Sequence, residues 1–133
     1  MTPQSILLGI CAGAISAIVF VSATTGPVLS RFVLFLLTPF SIYLAGLGLG
    51  VLPAAIAALT ATLAILAITS SPATALVFAV SEAAPAAVLS RLAMLARGDE
   101  KSREWYPVGR LVSVAAIFGG VFAVLTLILL GAD

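Results

Sequence analysis

Histidine is absent from this chain, and cysteine occurs once, at Cys11, among 133 residues. The missing histidine removes the commonest general base near neutral pH and the commonest ligand of zinc, copper and haem. A lone cysteine can form neither an internal disulfide nor a thiolate cluster. No metal or other cofactor is therefore expected. Charge is the other scarcity. Lys and Arg number 6 and Asp and Glu 5, which is 8% of the chain where a soluble domain carries about a quarter. A net charge of +1 leaves no electrostatic footprint for a polyanion, so nucleic acid is not an expected partner.

What the chain has in excess is apolar surface. Its hydrophobic fraction is 62%. A soluble domain of this length has too much surface for its volume to hide that. The sequence therefore reads as an all-α membrane protein, a polytopic bundle of about five transmembrane helices, with the lipid bilayer as its surroundings. A β-barrel is disfavoured, because barrel strands alternate apolar and polar residues. Here the runs are uniformly apolar and rich in Ala and Leu, which favour helix. Cys11 lies inside such a run and reads as a buried, inert, small apolar residue.

A helix needs about 20 residues to cross about 30 Å of hydrocarbon. Five segments meet that length, at about 5–23, 31–47, 52–69, 74–96 and 108–130, in a single transmembrane domain. The first is read as a retained helix rather than a signal peptide, because no Lys or Arg precedes it. Thr24-Thr25-Gly26-Pro27 breaks the chain after it. Fifty residues without a charge separate Arg31 from Glu82. As one helix they would reach about 75 Å, so the stretch must fold back. Gly46, Gly48, Gly50 and Pro53 mark one turn, and Ser70-Ser71-Pro72 the next. Pro53 and Pro107 suit first-turn positions. Pro39 and Pro85 lie inside spans and should kink them. Thr38 and Ser41 flank Pro39 and are placed to satisfy backbone groups freed there.

Orientation follows Lys and Arg in short loops. Arg91, Arg97, Lys101, Arg103 and Arg110 cluster about loop 97–107, and only Arg31 lies elsewhere. That bias puts the loop and the N-terminus in the cytoplasm and the C-terminus outside. Trp105 and Tyr106 close the loop where interfacial aromatic anchors are expected. Gly9, Gly13 and Ala17 recur every four residues in span 1 and form a helix-packing face. The face serves either packing within the chain or docking of a membrane protein partner or second copy. Gly119-Gly120 in span 5 offers similar packing or a bend.

Ten of the eleven charges fall in loops, at helix ends or at the C-terminus. Glu82 does not. It lies about 8 residues, roughly 12 Å, into span 4. A carboxylate at such depth costs about 2.5–3.5 kcal/mol on insertion scales, and charges there commonly mark function. Arg91 stands nine positions on, which puts it on the opposite helix face and argues against a direct pair. Ser81, Thr38, Ser41 and Tyr43 are the candidate hydrogen-bond partners. Glu82 admits three roles: a structural hydrogen-bonding group, a contact for a substrate or transported proton, or a group facing a partner subunit. No nucleophile–base pair accompanies it, so an enzyme is not expected.

Three stretches carry a family resemblance. Leu36-Leu37-Thr38-Pro39-Phe40 leads into Leu44-Ala45-Gly46-Leu47-Gly48. Pro85 precedes Leu89-Ser90-Arg91-Leu92-Ala93-Met94-Leu95-Ala96-Arg97, and then comes Glu104-Trp105-Tyr106-Pro107-Val108-Gly109-Arg110-Leu111. With the Gly/Ala-rich first helix, these resemble a proteobacterial family of inner-membrane proteins of unknown function. That family is distantly similar to the substrate-binding S components of energy-coupling-factor transporters and to MreD-like rod-shape proteins. Its members are typically longer, which implies that this chain is a shortened member or an N-terminal piece. The S-component likeness implies a small-molecule binding or transport subunit, with its pocket among the kinked helices. The alternative is a non-catalytic scaffold or accessory subunit of a larger membrane complex.

Overall fold

Apolar length becomes helix along nearly the whole chain. The computed structural model describes residues 3–97 and 104–130. Seven α-helices follow in order: α1 (Pro3–Thr25), α2 (Val28–Leu37), α3 (Phe40–Leu49), α4 (Val51–Thr69), α5 (Pro72–Phe78), α6 (Ala84–Ala93) and α7 (Val108–Leu130). A π-helical segment, Ala79–Ala83, joins α5 to α6. Grouped by continuity, these make five apolar rods of membrane-spanning length: Pro3–Thr25, Val28–Leu49, Val51–Thr69, Pro72–Ala93 and Val108–Ile128. The protein is thus an all-α, multi-pass membrane protein. Leu7, Leu29, Leu63 and Leu127 are each more than half exposed, as lipid-facing side chains should be.

The two interior prolines break their rods in different ways. Pro39 has no amide to donate, and the second rod divides there into α2 and α3. The Thr38 amide and hydroxyl both turn back to the Leu34 carbonyl, each at 3.0 Å. The Thr38 carbonyl is left outside both helices. It accepts the Ser16 hydroxyl from α1 at 2.7 Å, a bond the sequence did not point to. Ser41 plays no such part, since its hydroxyl is buried without a partner. Pro85 is absorbed upstream. The turn before it widens, and the Ala84 amide bonds to the Ala79 carbonyl five residues earlier.

Small residues set the core. In a bilayer, helices associate by close packing, because lipid tails are as apolar as leucine. Gly9, Gly13, Ser16, Ala17 and Phe20 of α1 are buried, and so are Pro53, Ala54, Ala57, Ala61 and Ile65 of α4. A Cβ on Gly9 would stand 2.9 Å from the Pro53 carbonyl oxygen, so the two backbones nearly touch. Phe20 and Phe78 meet edge to face at 5.0 Å and close one end of this core. Cys11 lies on the outward side of α1 and is exposed. The expected burial in a protein core is therefore corrected, because the inward stripe of α1 runs through Gly9, Gly13 and Ala17 instead.

Two boundaries differ from expectation. The turn read from Gly46, Gly48, Gly50 and Pro53 is made by Gly50 alone, whose φ of 103° lies in the left-handed region. Gly46 is helical and buried, and it lets α3 approach the Ser90 side chain of α6. Span 4 ends at Ala93 rather than Ala96. Residues beyond it form a short antiparallel ladder, β1 (Ala96–Arg97) with β2 (Glu104–Trp105), supported by the Tyr106 amide donating to the Leu95 carbonyl at 2.9 Å. The charges at Asp99, Glu100, Lys101, Arg103 and Asp133 lie outside the described residues. At the other expected turn, Ser70 takes a left-handed φ of 51° and the Ser71 hydroxyl accepts the Thr74 amide at 3.3 Å.

Candidate functional site

The site begins with the placement of one carboxyl group. Glu82 belongs to the π segment, one turn before Pro85. Only 7% of its surface is exposed. It is the eleventh residue of the rod Pro72–Ala93, about 15 Å along it, near the middle of a bilayer core. The widened turn exists because Pro85 cannot complete a regular ladder. A π turn re-aims the side chains within it, which is why such turns recur at functional sites.

Glu82 faces a cavity of about 240 Å³. Its walls come from three parts of the fold. The π segment and α6 supply Ser81, Glu82 and Pro85; α2 supplies Phe35; and α7 supplies Ala115, Phe118, Gly119 and Phe122. Helix α7 closes the cavity as an outer wall. It packs on α6 and the π segment through one half-buried stripe, Leu111, Val114, Phe118, Phe122 and Thr126. A Cβ at Gly119 would meet nothing within 4 Å, so the helix leaves open space at that point.

Neither Glu82 carboxyl oxygen receives a hydrogen bond or an ion pair among the described residues. Among the described residues, the Tyr43 phenol of α3 is within electrostatic reach of it. Arg91 is exposed on α6, in keeping with the opposite-face argument. Arg31 is likewise engaged elsewhere, donating from Nε to the Gly26 carbonyl at 2.5 Å. A buried carboxyl with no donor is costly unless something else meets it. The other groups proposed beside it divide. Ser81 lines the cavity with its hydroxyl buried and unpartnered. Thr38 is buried and spends its hydrogen bonds on the α2–α3 break. Ser41 is no part of the lining, although its hydroxyl is also unpartnered. Of the two prolines, only Pro85 borders the cavity.

The sequence reading missed Phe35, Phe118 and Phe122 as site residues. A signal was present, since Phe118 and Phe122 are four apart and Gly119 adjoins them. On a helix apolar all round, however, no polar face marks which side looks inward. The Gly9, Gly13 and Ala17 face is occupied by α4 of the same chain, so of its two roles internal packing is the one the geometry fills. Trp105 is 57% exposed beside the half-buried Tyr106, at the end of the hairpin where α7 starts. Beside Glu82, the cavity lining sets one carboxyl and the Ser81 hydroxyl against apolar rings. Comparison with protein-family models, curated proteins and solved structures finds no match to this chain.

Proposed function

We propose that this protein is a small-molecule-binding subunit of a membrane transport system, with the cavity beside Glu82 as its ligand site. One observation carries the proposal: a carboxyl group at mid-membrane depth faces an open cavity and has no donor among the described residues. Ionisable residues at that depth are rare and mark substrate or ion paths. A carboxyl kept for structure would be expected to have its hydrogen bonds made by neighbouring helices. The resemblance to S components agrees in kind, since it too places a pocket among kinked helices. The Lys and Arg distribution supports an orientation with the N-terminus and loop 97–107 in the cytoplasm, and the family resemblance implies a bacterial inner membrane. The role is binding rather than catalysis, because no nucleophile–base pair stands at Glu82.

The scaffold alternative calls for a dry core and an outward small-residue face. The cavity and the burial of Gly9 and Gly13 against α4 both favour the binding role. Gly119→Leu tests it. Gly119 borders the cavity and a Cβ there meets nothing within 4 Å, so leucine adds bulk at the cavity wall without moving the backbone. Native mass spectrometry of protein extracted from its own membranes in mild detergent should find a small-molecule adduct on the wild type. The adduct should vanish in Gly119→Leu while thermal unfolding is unchanged. An empty wild type, or an adduct that survives the added bulk, would overturn the proposal.

A further inference from the structure

The walls of the Glu82 cavity bear on what it holds, and we infer that its ligand class is a small organic cation, an amine or quaternary ammonium ion with an apolar body. The inference rests on the ligand-binding role proposed above. Three observations lead to it. Glu82 is more than nine-tenths buried and borders the cavity with no donor to its carboxyl group among the described residues. No Lys or Arg borders the cavity among the described residues, so these walls supply no counter-charge. Phe35, Phe118 and Phe122 present aromatic rings around the same space.

A carboxylate in a low-dielectric site attracts a cation far more strongly than it would in water. Aromatic faces add to that attraction through their quadrupoles, and they suit alkylated ammonium groups, which shed water readily. An anion would meet the carboxylate's repulsion with only the Ser81 hydroxyl, among the described residues, to offset it. A neutral polar molecule would find one carboxyl and one hydroxyl among apolar rings. Size narrows the class further. The volume of about 240 Å³ is below the roughly 300 Å³ at which drug-sized pockets begin, so the ligand is small.

The test uses the full chain in lipid nanodiscs and two probes of nearly equal shape. Benzyltrimethylammonium carries the charge; neopentylbenzene replaces its nitrogen with carbon. Calorimetric titration should show one benzyltrimethylammonium per chain, bound about tenfold or more tighter than neopentylbenzene. Glu82→Gln keeps the side chain's shape and should erase that preference. Phe118→Leu keeps the site apolar, removes one ring and should weaken the cation more than the neutral probe. Circular dichroism checks that both variants remain folded. Equal binding of both probes by the wild type would overturn the cation class while leaving a ligand cavity intact. Undiminished cation binding by Glu82→Gln would overturn it too. Failure to bind either probe at millimolar concentration would overturn both the class and the cavity on which it rests.

Discussion

Replacing Gly13 by alanine should destabilise the bundle, although alanine is the better helix former. A Cβ at this position would lie 2.8 Å from the Thr60 Cβ and nearer still to the Ala57 carbonyl oxygen. Neither neighbour can rotate aside, since one is backbone and the other is fixed to it. Helices α1 and α4 must therefore move apart along their closest line of contact. Overpacking of this kind costs about 1–3 kcal/mol. The helix propensity gained from Gly to Ala returns up to about 1 kcal/mol. The net expectation is a loss of about 0–2 kcal/mol, and of about 1–3 kcal/mol relative to a glycine that gains the same propensity without the clash. Gly48→Ala is the control, because a Cβ there meets nothing within 4 Å. It should be neutral or slightly stabilising. Reversible unfolding by sodium dodecyl sulfate in mixed micelles, followed by circular dichroism, measures both. Equal stability of the two variants, or a gain for Gly13→Ala, would refute the close approach of α1 to α4.

Other outcomes follow from the same packing. Ser16→Ala removes the donor to the buried Thr38 carbonyl and should cost about 1–3 kcal/mol in the same unfolding assay, whereas Ser22→Ala on the exposed side of α1 should cost little. In a Cys11→Ala background, Ser71→Cys should react with a membrane-impermeant thiol reagent on intact cells, and Ser102→Cys only after lysis; the reverse pattern would invert the proposed orientation.

Much of the architecture was legible because the bilayer imposes a length. Apolar runs of about 20 residues bounded by Gly, Pro or Ser resolve into spans with few alternatives. The breaks at Gly26-Pro27, Pro39 and Ser70-Ser71-Pro72 were readable for the same reason. Gly46 was misassigned because a glycine marks a turn and a close approach equally well; only the position of Ser90 on α6 separates the two. The π turn at Ala79–Ala83 was hidden, since its residues pattern like any α-helix and the cue, Pro85, predicts a kink equally. Glu82 stood out by its chemistry. Its surroundings did not, because Phe118 and Phe122 sit on a helix with no polar side to orient it. Ser16 was visible as a small residue in the packing stripe, but its bond to Thr38 joins groups 22 residues apart and depends on how α1 meets the α2–α3 break.

The central claim is that Glu82 is held for a ligand and not for the fold. Glu82→Met tests it most directly, because methionine is also unbranched, similar in length and apolar. If the carboxyl has no protein donor, its removal breaks no native hydrogen bond, and the unfolding free energy of the empty protein should be unchanged or higher. The same variant should lose the small-molecule adduct. A fall in unfolding free energy of about 1 kcal/mol or more, the cost of a broken native hydrogen bond, would show instead that Glu82 is part of what holds the helices together.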